Sequence, residues 1–293
     1  MSALRTLLAG AIDYAGLFPP AQLSMAEAVA NYAAYRASAD AWALGRFVVP
    51  AARLAELAEA AGPHQAPPPW RISALATLPA DAEMIARFNQ RQAGRALVDA
   101  VETRAISVEQ VAAAGAAPAG VTVYVEIPVD GDVDALLDAI REARARAKVR
   151  TGGVTPDAFP PAEALARFIA ACARHGVRFK ATAGLHHPLR AEHALTYEPG
   201  SALTTMHGYL NVMTASAFAV AGTDEPTLAA VLGERDFGAF DLAGDSVRWR
   251  GRTIDATAVA DARGRLVDGF GSCSFREPLD ELSSLAAAAW PEC

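Results

Sequence analysis

Lysine is almost missing from this chain of 293 residues: of 26 basic side chains only Lys148 and Lys180 are lysines, and the rest are arginine. Arginine replaces an ammonium that merely solvates a surface, but it does not deprotonate in proteins and cannot attack a carbonyl. Cysteine is also sparse, with Cys172, Cys273 and Cys293 showing no C-x-x-C spacing, so neither a disulfide framework nor a zinc knuckle is implied. Cys172 falls on the apolar stripe Leu165, Phe168, Ile169, Cys172, which reads as helix packing. The net charge of -7 and the lack of a basic run argue against nucleic-acid or anionic-membrane partners. No apolar run approaches the ~20 residues of a membrane span, and Leu7-Leu-Ala-Gly-Ala11 before Asp13 is too short for a signal peptide. The expectation is therefore a cytoplasmic protein that binds a small molecule; an assembly of identical subunits stays compatible with the sequence.

What is present is a large apolar fraction, 52%, in apolar strand-like runs that alternate with alanine-rich helical stretches. That alternation is the signature of a parallel sheet with crossover helices. Strands are expected near 11–17, 46–50, 72–78, 96–102, 121–127, 147–151, 177–183 and 269–275, and eight strands fit a single (β/α)8 TIM barrel over residues 1–293. Val133, Leu136, Leu137 and Ile140 mark one helical face. The segment Pro63 to Trp70 reads as a stiff surface loop. Residues from about 190 to 266 are more than a barrel unit needs. They are expected to form a helical and hairpin insertion over the active-site face, with helices at 209–220 and 228–235 and a hairpin at 246–254 turning on Arg-Gly.

Both lysines lie in short strand-like segments that end in glycine, Lys148-Val-Arg-Thr-Gly-Gly153 and Phe179-Lys-Ala-Thr-Ala-Gly184. A bland origin is available, a genome that favours arginine and leaves two survivors for salt bridging. Against it, each position is one where a side chain of a parallel sheet points inward and an unpaired charge is costly. A second ammonium in the same low-dielectric site helps one amine lose its proton, which turns it into a nucleophile.

Seven segments resemble, in order and approximate spacing, the deoxyribose-phosphate aldolases, Schiff-base (class I) aldolases with a (β/α)8 fold. They are Ile12-Asp-Tyr-Ala-Gly-Leu-Phe-Pro-Pro-Ala21, Phe47-Val-Val-Pro50, Val98-Asp-Ala-Val101, Val123-Tyr-Val-Glu126, the two lysine segments, and Phe270-Gly-Ser-Cys-Ser274. The resemblance implies that Lys148 forms the Schiff base, Lys180 modulates it, and Asp99 moves protons. It also implies that Gly271, Ser272 and Ser274 belong to a phosphate turn. The chain departs from that family at Tyr14-Ala15, Phe47, Val49, Ala183 and His186.

The expected catalytic set is thus Lys148, Lys180 and Asp99, with Asp13, Glu126, Arg150, Thr182, Gly184, His186, Gly271, Ser272 and Ser274 around the substrate. No cofactor and no metal are implied. Asp99 has an equal alternative as a charge partner of the lysines, and Arg150 either forks onto a substrate anion or balances Glu126 or Asp99. The expected activity is carbon–carbon cleavage of a small carbonyl compound, anionic or neutral. Two alternatives stay open: a metal-dependent hydrolase or lyase using His186, His187 and His207 with Glu126 or Glu102, and a non-catalytic barrel that binds an anionic metabolite. On the aldolase reading, Lys180→Leu should lower reactivity near neutrality and let it recover at high pH.

Overall fold

The structure, a computed structural model, describes residues 2–64, 67–115 and 117–289. Eight parallel strands close into a barrel: β1 (Ile12–Tyr14), β2 (Leu44–Pro50), β3 (Trp70–Leu75), β4 (Ala96–Arg104), β5 (Thr122–Glu126), β6 (Arg146–Arg150), β7 (Phe179–Thr182) and a last strand, Val267–Ser272, that pairs with both β7 and β1. Helices Met25–Arg36, Leu54–Ala61, Ala82–Arg91, Val108–Ala114, Val133–Glu142, Ala162–His175, Tyr209–Val220 and Arg276–Ala289 follow the strands in turn. The protein is an α/β chain with the (β/α)8 TIM-barrel architecture. Each of the eight expected strand segments overlaps an observed strand. β1 is shorter than 11–17 because the chain turns away from the sheet after Tyr14. Part of the Pro63 to Trp70 loop and Cys293 lie outside the described residues.

Local sequence accounts for the helices. Ser24 accepts a hydrogen bond from the Glu27 amide while the Glu27 carboxylate reaches back to the Ser24 amide, a capping box that starts Met25–Arg36. Ala162–His175 ends at Gly176, whose φ of 63° lets the chain turn left-handed at no steric cost. Cys172 is fully buried on that helix, as its apolar stripe requires.

The barrel interior departs from the usual layers of branched aliphatic residues. Toward the N-terminal end, Asp268 accepts from Arg146 (2.8 Å), from Tyr124 (3.0 Å) and from Arg178, and Asp99 pairs with Arg46 and Arg71. Above them stand Asp13, Ser73, Glu102 and the two lysines, all buried. Charge in such a place is stable only when paired, and here every charged group has a partner of opposite sign.

The long segment before the last strand does not act as one unit over the mouth. Only its first part does: a hairpin of Ala191–Ala194 and Leu203–Met206, whose residues 194–197 and Met206 wall the mouth. Tyr209–Val220 is buried along nearly all its length, so it serves as the barrel's own crossover helix and packs against Ala162–His175 and the last strand. From there the chain must return to the N-terminal end to enter another parallel strand. Along that return lie Glu225–Gly233 and a small antiparallel sheet of Phe240–Asp241, Val247–Trp249 and Arg252–Ile254. The sheet region meets the helix Ala3–Leu8 that precedes β1, through Ala3 N–H to Gly244 O (2.6 Å) and Leu4 N–H to Leu242 O (3.3 Å). The Arg-Gly hairpin is present, with φ of 44° at Arg250 and 78° at Gly251.

Candidate active site

Lys148 and Lys180 are register partners on β6 and β7 and both point into the barrel. Glu102 on β4 bridges them: its Oε1 accepts from Lys180 Nζ at 2.7 Å and its Oε2 pairs with Lys148 Nζ at 2.9 Å. Ser73 Oγ donates to Glu102 Oε1 at 2.7 Å and fixes that carboxylate. Lys180 also donates to Asp13 Oδ2, and its ammonium lies 5.3 Å from the centre of the Tyr124 ring. Lys148 takes Glu126 as its second partner, Nζ to Oε2 at 2.9 Å, while Oε1 of Glu126 accepts from Arg104 (2.7 Å) and Arg150 (3.4 Å). One chain of alternating charge therefore runs Asp13, Lys180, Glu102, Lys148, Glu126 across four neighbouring strands and β1.

Burial alone would weaken the charge on Lys180, but Asp13 and Glu102 outweigh it and hold the amine firmly protonated. For the carboxylates the balance also favours charge. Burial opposes ionisation of Glu102, and the two lysines overcome it and drive its pKa well below the ordinary carboxylate range. Glu126, likewise opposed by burial, is brought down to about 2 by Lys148 and Arg104. A carboxylate whose folded pKa lies below its unfolded value of about 4.3 contributes stability above that pH and loses it as pH falls through the folded value. Urea midpoints should therefore start to drop as pH goes below about 4 and keep falling toward about 2, and Glu126→Gln should remove part of that slope.

Asp13 is aimed by backbone. Its Oδ1 accepts from the Arg46 amide at 2.6 Å, and a methyl group on Gly45 would come within 2.2 Å of that oxygen. Gly45→Ala should push Asp13 off Lys180 and lower unfolding stability by about 1–3 kcal/mol, as measured by denaturant titration.

A cavity of about 250 Å³ opens at the C-terminal ends of the strands. Lys148, Glu102, Arg150, Thr182, Gly184, His186 and Gly271 line it. Lys180 and Asp13 are buried and do not line it. Gly184, at φ 72°, lets β7 end close to Gly152 and Phe159; a side chain there would meet the Phe159 ring at 2.8 Å. Ala183 takes φ 62°, the left-handed region, without being glycine, and its carbonyl accepts from Thr151 Oγ1 at 2.6 Å.

Asp99 is not among the residues of the cavity. It lies deeper, with Oδ1 on Arg46 Nε (2.7 Å) and Oδ2 on Arg71 Nε (2.9 Å), so the structure places it as a charge partner of arginines rather than of the lysines. A register shift between β3 and β4 at Ile72 and Ser73 breaks the alternation of side chains beside Asp99. Glu102, three residues nearer the mouth, stands where Asp99 was expected. Its signal was its position, since site residues of this fold gather at C-terminal strand ends.

The histidines are separated by their partners. His207 donates Nε2–H to Pro160 O (2.7 Å) and accepts from Arg190 at Nδ1 (3.0 Å); burial brings it down to about 4, so the ring is neutral near pH 7. His187 Nδ1 meets Glu281 at 2.6 Å and its ring stacks on His193. His186 pairs with Glu277 at 3.4 Å and touches Ser272 Oγ at 3.3 Å. Burial opposes its charge, but the contacts with Cys273 and Glu277 prevail and raise it to about 9. Ser274 accepts from the Glu277 amide at 3.1 Å and serves the start of the last helix. Among the described residues, no group of three or more His, Cys, Asp and Glu side chains is arranged to hold a metal ion, and no helix is long and apolar enough to cross a membrane.

Comparison with known proteins finds no family model, no curated relative and no solved structure that matches this chain.

Proposed function

We propose that the protein is a class I aldolase-type lyase that cleaves or forms a carbon–carbon bond in a small carbonyl compound through a Schiff base on Lys148. The observation that carries this reading is the division of labour between the lysines: Lys148 lines the cavity, whereas Lys180 does not and is ion-paired to Asp13 and Glu102.

Both carboxylates that face Lys148 are shared. Glu102 also serves Lys180, and Glu126 also serves Arg104 and Arg150, so four cations stand against Asp13, Glu102 and Glu126. In the proposed reaction the Lys148 proton passes to Glu126 as the amine attacks the carbonyl carbon. A proton shift from nitrogen to oxygen gives the carbinolamine, and the proton held by Glu126 returns to the hydroxyl, which leaves as water. The resulting iminium keeps the positive charge of the ammonium it replaces, so the same two carboxylates stabilise it. Cleavage then moves the electrons of the carbon–carbon bond into the iminium to give an enamine. Glu102, on the cavity wall, takes the proton of the substrate hydroxyl in the role expected of Asp99. Arg150, with its guanidinium half exposed at the rim, holds the carbonyl oxygen or a carboxylate. Incubation with a panel of small aldehydes and ketones plus borohydride should add the reduced adduct mass to Lys148; unmodified protein throughout the panel would count against the reading.

A further inference from the structure

Across the cavity from β4 to β6, the wall built by the ends of β7 and the last strand, the start of the last helix and the hairpin has its own chemistry. His186, Glu277, Tyr197 and Cys273 all line the cavity, beside Phe18, Leu195 and Met206. Glu277 Oε2 receives Tyr197 OH (2.9 Å) and faces His186 Nδ1 (3.4 Å), while His186 also touches Ser272 Oγ (3.3 Å) and Cys273 Sγ (3.7 Å). Glu277 Oε1 has no hydrogen-bond partner among the described residues. Two of the backbone donors that an anion would use there are spent inside the protein: Ser274 N–H points to Ser272 Oγ (3.4 Å) and Glu277 N–H to Ser274 Oγ (3.1 Å). The helix N-terminus, where the backbone dipole favours negative charge, is supplied with Glu277 itself.

Building on the Schiff-base reading, we propose that this wall selects an uncharged, hydroxyl-bearing substrate and rejects its phosphate ester: Glu277 Oε1 accepts a substrate O–H, and its charge repels a phosphate group. On this wall the single positive charge of His186 is already balanced by Glu277, and Arg150 belongs to β6 on the facing side, so a phosphate seated here would be desolvated beside a carboxylate with no unpaired cation on the wall itself. A phosphate dianion has no proton to offer to Oε1, whereas an alcohol has one. The hairpin takes part through Tyr197, which orients Glu277 by its hydrogen bond.

Two aldehydes that differ only in the phosphate, glyceraldehyde and glyceraldehyde 3-phosphate, test this by their initial rates of borohydride trapping at equal concentration. Wild type should trap the unphosphorylated aldehyde about tenfold faster or more, and Glu277→Gln, of the same shape, should narrow that ratio. Equal or faster trapping of the phosphate ester by wild type overturns the proposal while leaving the Schiff base intact. If neither aldehyde traps, the Schiff-base reading fails, and calorimetric titration with inorganic phosphate decides on the wall alone. Silence with wild type and binding with Glu277→Gln would support it, and binding by wild type, or by neither protein, would overturn it.

Discussion

Lys148→Arg should cost about 10⁴-fold or more in turnover while leaving the barrel folded, the scale on which loss of a covalent nucleophile is felt. Arginine keeps the positive charge, so Glu102 and Glu126 retain a cationic partner and no buried carboxylate is stranded. What it cannot do is give up a proton and form an imine. Circular dichroism and a urea midpoint near that of wild type would assign the loss to chemistry. Lys148→Gln would not separate the two effects, because it leaves Glu102 and Glu126 with one cation fewer.

Lys180→Leu should act mainly on folding. The Lys180 side chain is 2% exposed and holds two buried carboxylates, Asp13 and Glu102. Removing the ammonium leaves both beside an aliphatic group, and breaking a buried pair in this way costs about 3–5 kcal/mol. The expected measurement is a large fall in the urea midpoint at pH 7. The double variant Lys180→Leu with Asp13→Asn should recover part of it by removing one stranded charge. This revises the role read from the lysine pair alone, in which Lys180 acts on Lys148 as a bare like charge and high pH restores reactivity. Glu102 lies between the two amines and screens one from the other, so raising the pH should not rescue a variant whose defect is structural.

Much of the barrel was legible because parallel strands buried on both faces leave apolar runs at regular intervals, and seven helices between eight such runs leave little choice of topology. The two lysines stood out because arginine occupies every other basic position. What remained hidden was pairing. The bridging role of Glu102 depends on β4, β6 and β7 aiming side chains at one point from residues 46 and 78 positions apart along the chain, and no local pattern reports that convergence. The depth of Asp99 followed from a register shift that a period of two cannot foresee. The insertion is present between the last two strands, but only its first hairpin lies at the mouth, a division hidden for a related reason. Tyr209–Val220 was legible as a helix, but its burial on all sides, which makes it part of the barrel wall, appears only when Ala162–His175 and Glu225–Gly233 cover it. The hairpin before it, with Tyr197 at the mouth, gave only four-residue strands and no apolar alternation to mark it.

Whether Lys148 forms the Schiff base is read by intact mass after borohydride treatment with a reactive small aldehyde, run in parallel on wild type and Lys148→Arg and followed by peptide mapping. Wild type should give one adduct, mapped to Lys148, and Lys148→Arg none at any pH. An adduct that persists in Lys148→Arg, or that maps to Lys180, would contradict that role of Lys148.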